Sequence, residues 1–205
     1  SLMKVFNSVD PSYSQELYGI HDPSRFIDNQ DGQILVNTGK ENAEGYNCGL
    51  ETWRRDSAND NWKPDLCLVQ EKPEWINEEM PEQGGAYWAP DFTPNVHIVY
   101  SVTPGFDEPG SCVGLLKKFE STWKDIGQPI TCSYSTDPEI GAIDPSVFKA
   151  FDGRIFLVTG GGLIHMSELD PNTYESTSGD WFEPGHDDWF EIARGPMGDN
   201  NEWGD

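Results

Sequence analysis

Two segments of this chain, more than a hundred residues apart, are laid out in the same way. His21-Asp22-Pro23-Ser24-Arg25-Phe26 is followed by Asp31-Gly32 and then by Ile34-Leu35-Val36-Asn37-Thr38-Gly39. Ala142-Ile143-Asp144-Pro145-Ser146-Val147-Phe148 is followed by Asp152-Gly153 and then by Ile155-Phe156-Leu157-Val158-Thr159-Gly160. Each opens on Asp-Pro and continues into an apolar run. Asp-Gly then offers the φ > 0 residues of a two-residue hairpin turn, and a second β-rich run returns from it. The turn glycine follows the opening Asp by 10 positions in one segment and 9 in the other. A unit used at least twice predicts a repeat architecture, which limits the possible folds more than any single motif does.

The rest of the chain fits that expectation. Among 205 residues are 21 Gly and 15 Pro, which call for many turns, and no sustained i, i+3, i+4, i+7 apolar pattern calls for a long helix. The chain reads as all-β. A middle unit opens at Tyr87-Trp88-Ala89-Pro90-Asp91-Phe92 and continues through Val96–Val102 and Cys112–Leu116. Trp62, Trp123 and Trp189 follow Asp22, Asp91 and Asp144 by 40, 32 and 45 residues and are read as core, as are Phe26 and Phe148. Three four-stranded units, at about 20–80, 85–137 and 140–195, are expected from this spacing, in the manner of β-propeller blades within a single domain. Cys48 and Cys67 are 19 residues apart, Cys112 and Cys132 are 20 apart, and each pair falls on the third and fourth strands of its unit. The matched positions predict two disulfides within units, with buried free thiols as the other reading.

Charge narrows the partners. The chain carries 36 Asp+Glu against 13 Lys+Arg, a formal charge of −23. Such a surface repels phosphate backbones and anionic headgroups, which argues against nucleic acid and membranes as partners. It suits neutral or cationic ligands and also serves solubility. The four His, at 21, 97, 165 and 186, have no metal-ligand spacing, and Asp28-Asn29-Gln30-Asp31-Gly32 places its Gly one position too early for a calcium-binding EF-hand loop.

His21-Asp22-Pro23, Trp88-Ala89-Pro90-Asp91 and Ala142-Ile143-Asp144-Pro145-Ser146, in that order and spacing, resemble glycoside hydrolase family 43, its arabinan endo-1,5-α-L-arabinanase branch above all. Tyr100-Ser101-Val102, Ser111–Leu115, Gly160–Leu163 and Glu168-Leu169 add to the resemblance, which runs from about residue 20 to 192. It implies a five-bladed propeller, of which about three blades are present here, and an inverting cleavage of arabinan-like or related neutral polysaccharide. Asp22 would be the general base and Asp144 the carboxylate that raises the pKa of the general acid. The family's acid is a Glu followed by a small residue and Pro. Glu202 is followed by Trp203-Gly204, so the chain is expected to stop before its acid and to have little activity alone. The resemblance further implies secretion or a periplasmic location and a structural calcium in the axial channel. Open blade faces would favour self-association.

Elementary chemistry agrees with that assignment. Two Asp-Pro openings at equivalent places put two carboxylates at the same end of two units. An inverting glycosidase needs a base carboxylate and an acid carboxyl with room for water between them, and a third carboxylate keeps the acid protonated by like-charge repulsion. The bland reading is that Asp-Pro merely starts a turn, its side chain capping local N–H groups. Trp88 could stack on a sugar face or sit in the core. Asp91 and His21 could bond hydroxyls or be structural. The rival function is a non-catalytic glycan-binding propeller.

Overall fold

Period-2 alternation of apolar residues builds most of this molecule. The computed structural model describes residues 22–29, 32–38, 48–84, 87–105, 109–120, 122–135, 141–160, 162–177 and 189–194. The first sheet is a meander of β1 (Ile27–Asn29), β2 (Gly32–Thr38), β3 (Leu50–Arg55) and β4 (Lys63–Cys67), every neighbouring pair antiparallel. A short helix, α1 (Glu74–Glu79), follows and buries Trp75 and Ile76. The second sheet runs β5 (Tyr87–Phe92), β6 (Ile98–Val102), β7 (Ser111–Phe119) and β8 (Thr122–Asp125), and β9 (Thr131–Ser133) returns to pair with the start of β7. Its fourth position is thus split between two short strands. The third sheet comprises β10 (Ser146–Lys149), β11 (Ile155–Thr159), β12 (Leu163–Leu169) and β13 (Phe190–Arg194).

The middle sheet is buried on both faces. Ile98, Tyr100 and Val102 of β6 and Cys112 and Leu116 of β7 enter one core with Ile34, Val36 and Leu50 of the first sheet and Trp75 and Ile76 of the helix. The intervening Val99, Val113 and Leu115 enter the other core, with Val147, Ile155, Leu157 and Leu169 of the third sheet. Three sheets packed face to face, with β6 and β7 serving two cores, is how a period-2 pattern apolar at every position is used. Inside the first core Tyr100 donates its hydroxyl to Asp125 Oδ2 at 2.5 Å, and Trp75 Nε1 and the Gly127 amide reach Asp125 Oδ1 at 3.0 and 2.7 Å. Gly114 lies opposite Tyr100, and a Cβ there would stand 2.4 Å from the tyrosine ring, so only glycine admits the ring.

Several expectations are corrected. Phe26 and Phe148 are not core residues: they are 48% and 40% exposed. Their neighbours Ile27 and Val147 face the two cores, so alternation turns both phenylalanines outward. Trp62 is half-buried on the same outer side as Phe26, their ring centroids 6.3 Å apart, with the Arg55 guanidinium 4.6 Å from the indole. Trp123, though half-buried, packs against the first core as expected, and Trp189 is buried in the second. The hairpin at Asp152-Gly153 is not a two-residue turn. Ala150 and Arg154 close it with a 2.8 Å bond from the Ala150 amide, and Gly153 alone takes positive φ (94°). In the first unit β1 ends at Asn29 and β2 begins at Gly32, so Gly32 belongs to the strand.

Cys48–Cys67 and Cys112–Cys132 are disulfide-bonded, with Cα–Cα distances of 5.6 and 4.0 Å, and no cysteine among the described residues is free. The second pair joins directly opposed residues of β7 and β9, tying the detached half of the fourth strand to its sheet. Closing a loop of this length stabilises by about 3 kcal/mol in the chain-entropy account. Reduction under native conditions is expected to lower the melting temperature by more than 5 °C, on the order set by that energy. Thiol titration of the denatured, unreduced protein should find none, and four free groups would refute the pairing.

Candidate functional site

At one end of the three sheets, the segments that enter each sheet converge. Asp22, Pro23, Ser24 and Arg25 from the first, Ala89, Pro90 and Asp91 from the second, and Asp144, Pro145 and Ser146 from the third line a single open depression of about 210 Å3. The entering segments are pinned to their own sheets. Ser24 exchanges two bonds with Val36 of β2, its amide donating to the Val36 carbonyl at 2.8 Å and its hydroxyl accepting from the Val36 amide at 2.9 Å. The Gly160 amide at the end of β11 donates to the Ile143 carbonyl at 2.9 Å, and Thr159 Oγ1 donates to Gly141 at 3.1 Å. Trp88 and Asp91 flank an irregularity in the β5–β6 register, which sets the Ala89-Pro90 corner off the ladder.

The residue before each proline adopts the left-handed conformation: φ is 46° at Asp22, 40° at Ala89 and 50° at Asp144. Non-glycine residues seldom do so, Asp and Asn most readily. The three corners are therefore one structural device. Superposing them by their prolines puts Ala89, not Asp91, at the place of Asp22 and Asp144. Asp91 takes the place of Ser24 and Ser146.

Asp22 and Asp144 are exposed in the depression. Asp91 also lines it but is committed to the protein. Its Oδ1 accepts from Arg25 Nε and the Phe92 amide, both at 2.9 Å, and its Oδ2 accepts from Arg25 Nη2 and from Ser146 Oγ at 2.8 Å. A carboxylate offers about four lone-pair sites. All four are taken up by bonds within the protein. Arg25 Nη2 continues to the Val147 carbonyl at 3.1 Å and Ser146 Oγ at 3.4 Å, so one guanidinium spans all three sheets. The Asp91 carboxylate bonded to it holds its pKa above the usual arginine value, against the opposing effect of burial. Trp88 is absent from the lining: it is half-buried, and its indole Nε1 donates to Thr103 Oγ1 at 3.0 Å. His21 and Glu202 lie outside the described residues.

Arg25 and Ser146 were missed by sequence reasoning. The available signal was a lone cation three positions after Asp22 in a strongly acidic chain, and the Ser-Asp-Ser series that follows the three prolines. As to a resident cation, no group of three or more His, Cys, Asp or Glu among the described residues is arranged to hold one, so no residue here is assigned to the implied calcium. No helix among the described residues is long and apolar enough to cross a membrane.

Three face-packed antiparallel sheets that bring carboxylates to one shared end make an all-β fold with a candidate site at that end. Solved structures give that fold particular relatives. The family 43 endo-arabinanase of Bacillus licheniformis is 26% identical, with a TM-score of 0.66 over 78% of this chain and 55% of that one. The native arabinanase of Bacillus subtilis is 25% identical, with a TM-score of 0.65 over 80% of this chain and 56% of that one. The Cellvibrio cellulosa α-L-arabinanase, solved with arabinohexaose, shares the fold at 21% identity and a TM-score of 0.65, over 86% of this chain and 54% of its own. No family model matches the sequence, and no curated protein does. The chain spans about half the length of these enzymes, and its resemblance to family 43 arabinanases holds in three dimensions.

Proposed function

We propose that this chain is the first three blades of a five-bladed glycoside hydrolase that cleaves an arabinan-like neutral glycan with inversion. The observation that carries the reading is the convergence of Asp22 and Asp144 in one open depression, each on the same left-handed corner before proline. Asp22 is the base that takes a proton from the attacking water. Asp144 is the fixed negative charge that keeps the general acid protonated until the leaving oxygen needs it. The acid itself is not assigned to any described residue. The blades correspond to about 20–80, 85–137 and 140–195, and a further sheet covers the outer face of the third, where Phe148, Phe190 and Ile192 stand exposed. The existing sheet-to-sheet interfaces supply the precedent: each buries the same alternating apolar positions. Two disulfides suit an oxidising compartment, in keeping with secretion.

Incubating the full-length protein with linear 1,5-arabinan, and following new reducing ends and their anomeric configuration by proton NMR, tests the reading. Cleavage with inverted configuration is the expected result. Tight binding without cleavage would replace the hydrolase by a glycan-binding propeller, and retained configuration would remove the roles given to Asp22 and Asp144.

A further inference from the structure

The Arg25 guanidinium is held by one edge and open at the other. Nε and Nη2 are engaged by Asp91, Ser146 and the Val147 carbonyl. Nη1 donates no bond to the described residues, and the side chain, 47% exposed, belongs to the lining of the depression that holds Asp22 and Asp144. Arginine presents five N–H donors on a rigid plane, so fixing one edge fixes the direction of the remaining pair. Asp91, only 14% exposed, serves as the anchor. The cation and its counter-ion cancel, so the pair offers direction rather than net charge.

We propose that Arg25 is a substrate-binding residue whose Nη1 donates to a hydroxyl or ring oxygen of a neutral sugar, placing that sugar between Asp22 and Asp144. The inference rests on the glycosidase reading above and deepens it by naming the donor and the ligand class. A sugar hydroxyl both donates and accepts, so a site with carboxylates alone would satisfy only half of its bonding. Arg25 supplies the other half. An acidic sugar gains little here, because the positive charge is already neutralised by Asp91 and the other two carboxylates repel it.

The test is calorimetric titration of the full-length protein with arabinohexaose and with trigalacturonate, on wild type, Arg25→Lys and Arg25→Ala, each checked by thermal melting. Lysine retains a charged contact to Asp91 but has no second, directed edge. Arg25→Lys is expected to melt within about 3 °C of wild type and to bind arabinohexaose at least about tenfold more weakly, the scale of one charge-assisted hydrogen bond. Arg25→Ala loses the bridge between sheets as well, and its melting temperature should fall. A folded Arg25→Lys with wild-type affinity overturns the proposal and leaves the glycosidase reading untouched. Failure of wild type itself to bind arabinohexaose overturns both. Tighter binding of trigalacturonate than of arabinohexaose overturns the neutral-ligand assignment. Nitrogen-15 arginine NMR gives the same answer without a variant: arabinohexaose should shift the Arg25 Nη1 resonance of wild type, and an unmoved resonance at saturation counts against the contact.

Discussion

Replacing Asp22 by Asn in the full-length protein is expected to slow hydrolysis of linear arabinan by about 10²–10⁴-fold, the usual contribution of a positioned acid or base. The side chain keeps its size, and Asn tolerates the left-handed backbone of that corner, so the turn at φ 46° should persist and the melting temperature with it. What is lost is the charge to which the proposed mechanism gives the proton from water. Asp144→Asn acts differently. Removing a like charge lowers the pKa of the general acid, so the high-pH limb of the rate profile should move to lower pH while the low-pH limb stays. An Asp22→Asn enzyme with wild-type turnover would remove the base from this site, and an unmoved profile in Asp144→Asn would remove the tuning role.

The largest structural effect is expected at Asp125. Truncation to Ala strands the Tyr100 hydroxyl and the Trp75 indole N–H in the first core, each previously bonded to that carboxylate. Leaving a buried polar group unpaired costs about 1–3 kcal/mol, so two of them give a loss of roughly 2–6 kcal/mol. Asp125→Asn separates packing from charge. Burial raises the Asp125 pKa, and the bonds from Tyr100, Gly127 and Trp75 only partly oppose that shift. A carboxyl whose folded pKa lies above its unfolded value contributes stability below the unfolded pKa and loses it as pH rises through the folded one. The stability of Asp125→Asn relative to wild type should therefore improve from acid to neutral pH. Denaturant melts of both variants across that range check the two claims. A mild Asp125→Ala phenotype would show that water reaches the cluster, and an Asp125→Asn deficit that widens as pH rises would reverse the sign of the charge effect.

The repeat was legible because it is written in local chemistry. Asp-Pro and Asp-Gly mark corners wherever they fall, and the β-branched runs between them, such as Ile155–Thr159, form strands as their composition suggests. Which face of a strand is inside is set by a neighbouring sheet, and that is a tertiary fact. Phe26 and Phe148 follow their motifs identically and are as apolar as Ile27 and Val147, yet parity puts them on outer faces. The helix Glu74–Glu79 was missed because six residues carry too little periodicity to be read. Asp22 and Asp144 were read from the repeat, and the structure brings both to one depression. Asp91 was matched to them by residue type, whereas the backbone matches by proline. Arg25 escaped because a cation three positions after an Asp has no meaning until Asp91, 66 residues away in sequence, is folded against it.

The three corners have a consequence for how such a site changes over time. At Ala89 the same left-handed turn persists with a methyl group in place of a carboxylate, at φ 40° beside 46° and 50°. Backbone in that region costs an alanine on the order of 1–3 kcal/mol, and Ala89 has no side-chain oxygen to ease it. The proline and the surrounding sheet therefore hold the shape, while the residue before the proline is carried by it. Shape and chemistry are set separately. Each corner works as a socket: a carboxylate can be withdrawn or installed there with little effect on the scaffold, and new chemistry at this end of the molecule needs a change of plug rather than a change of frame.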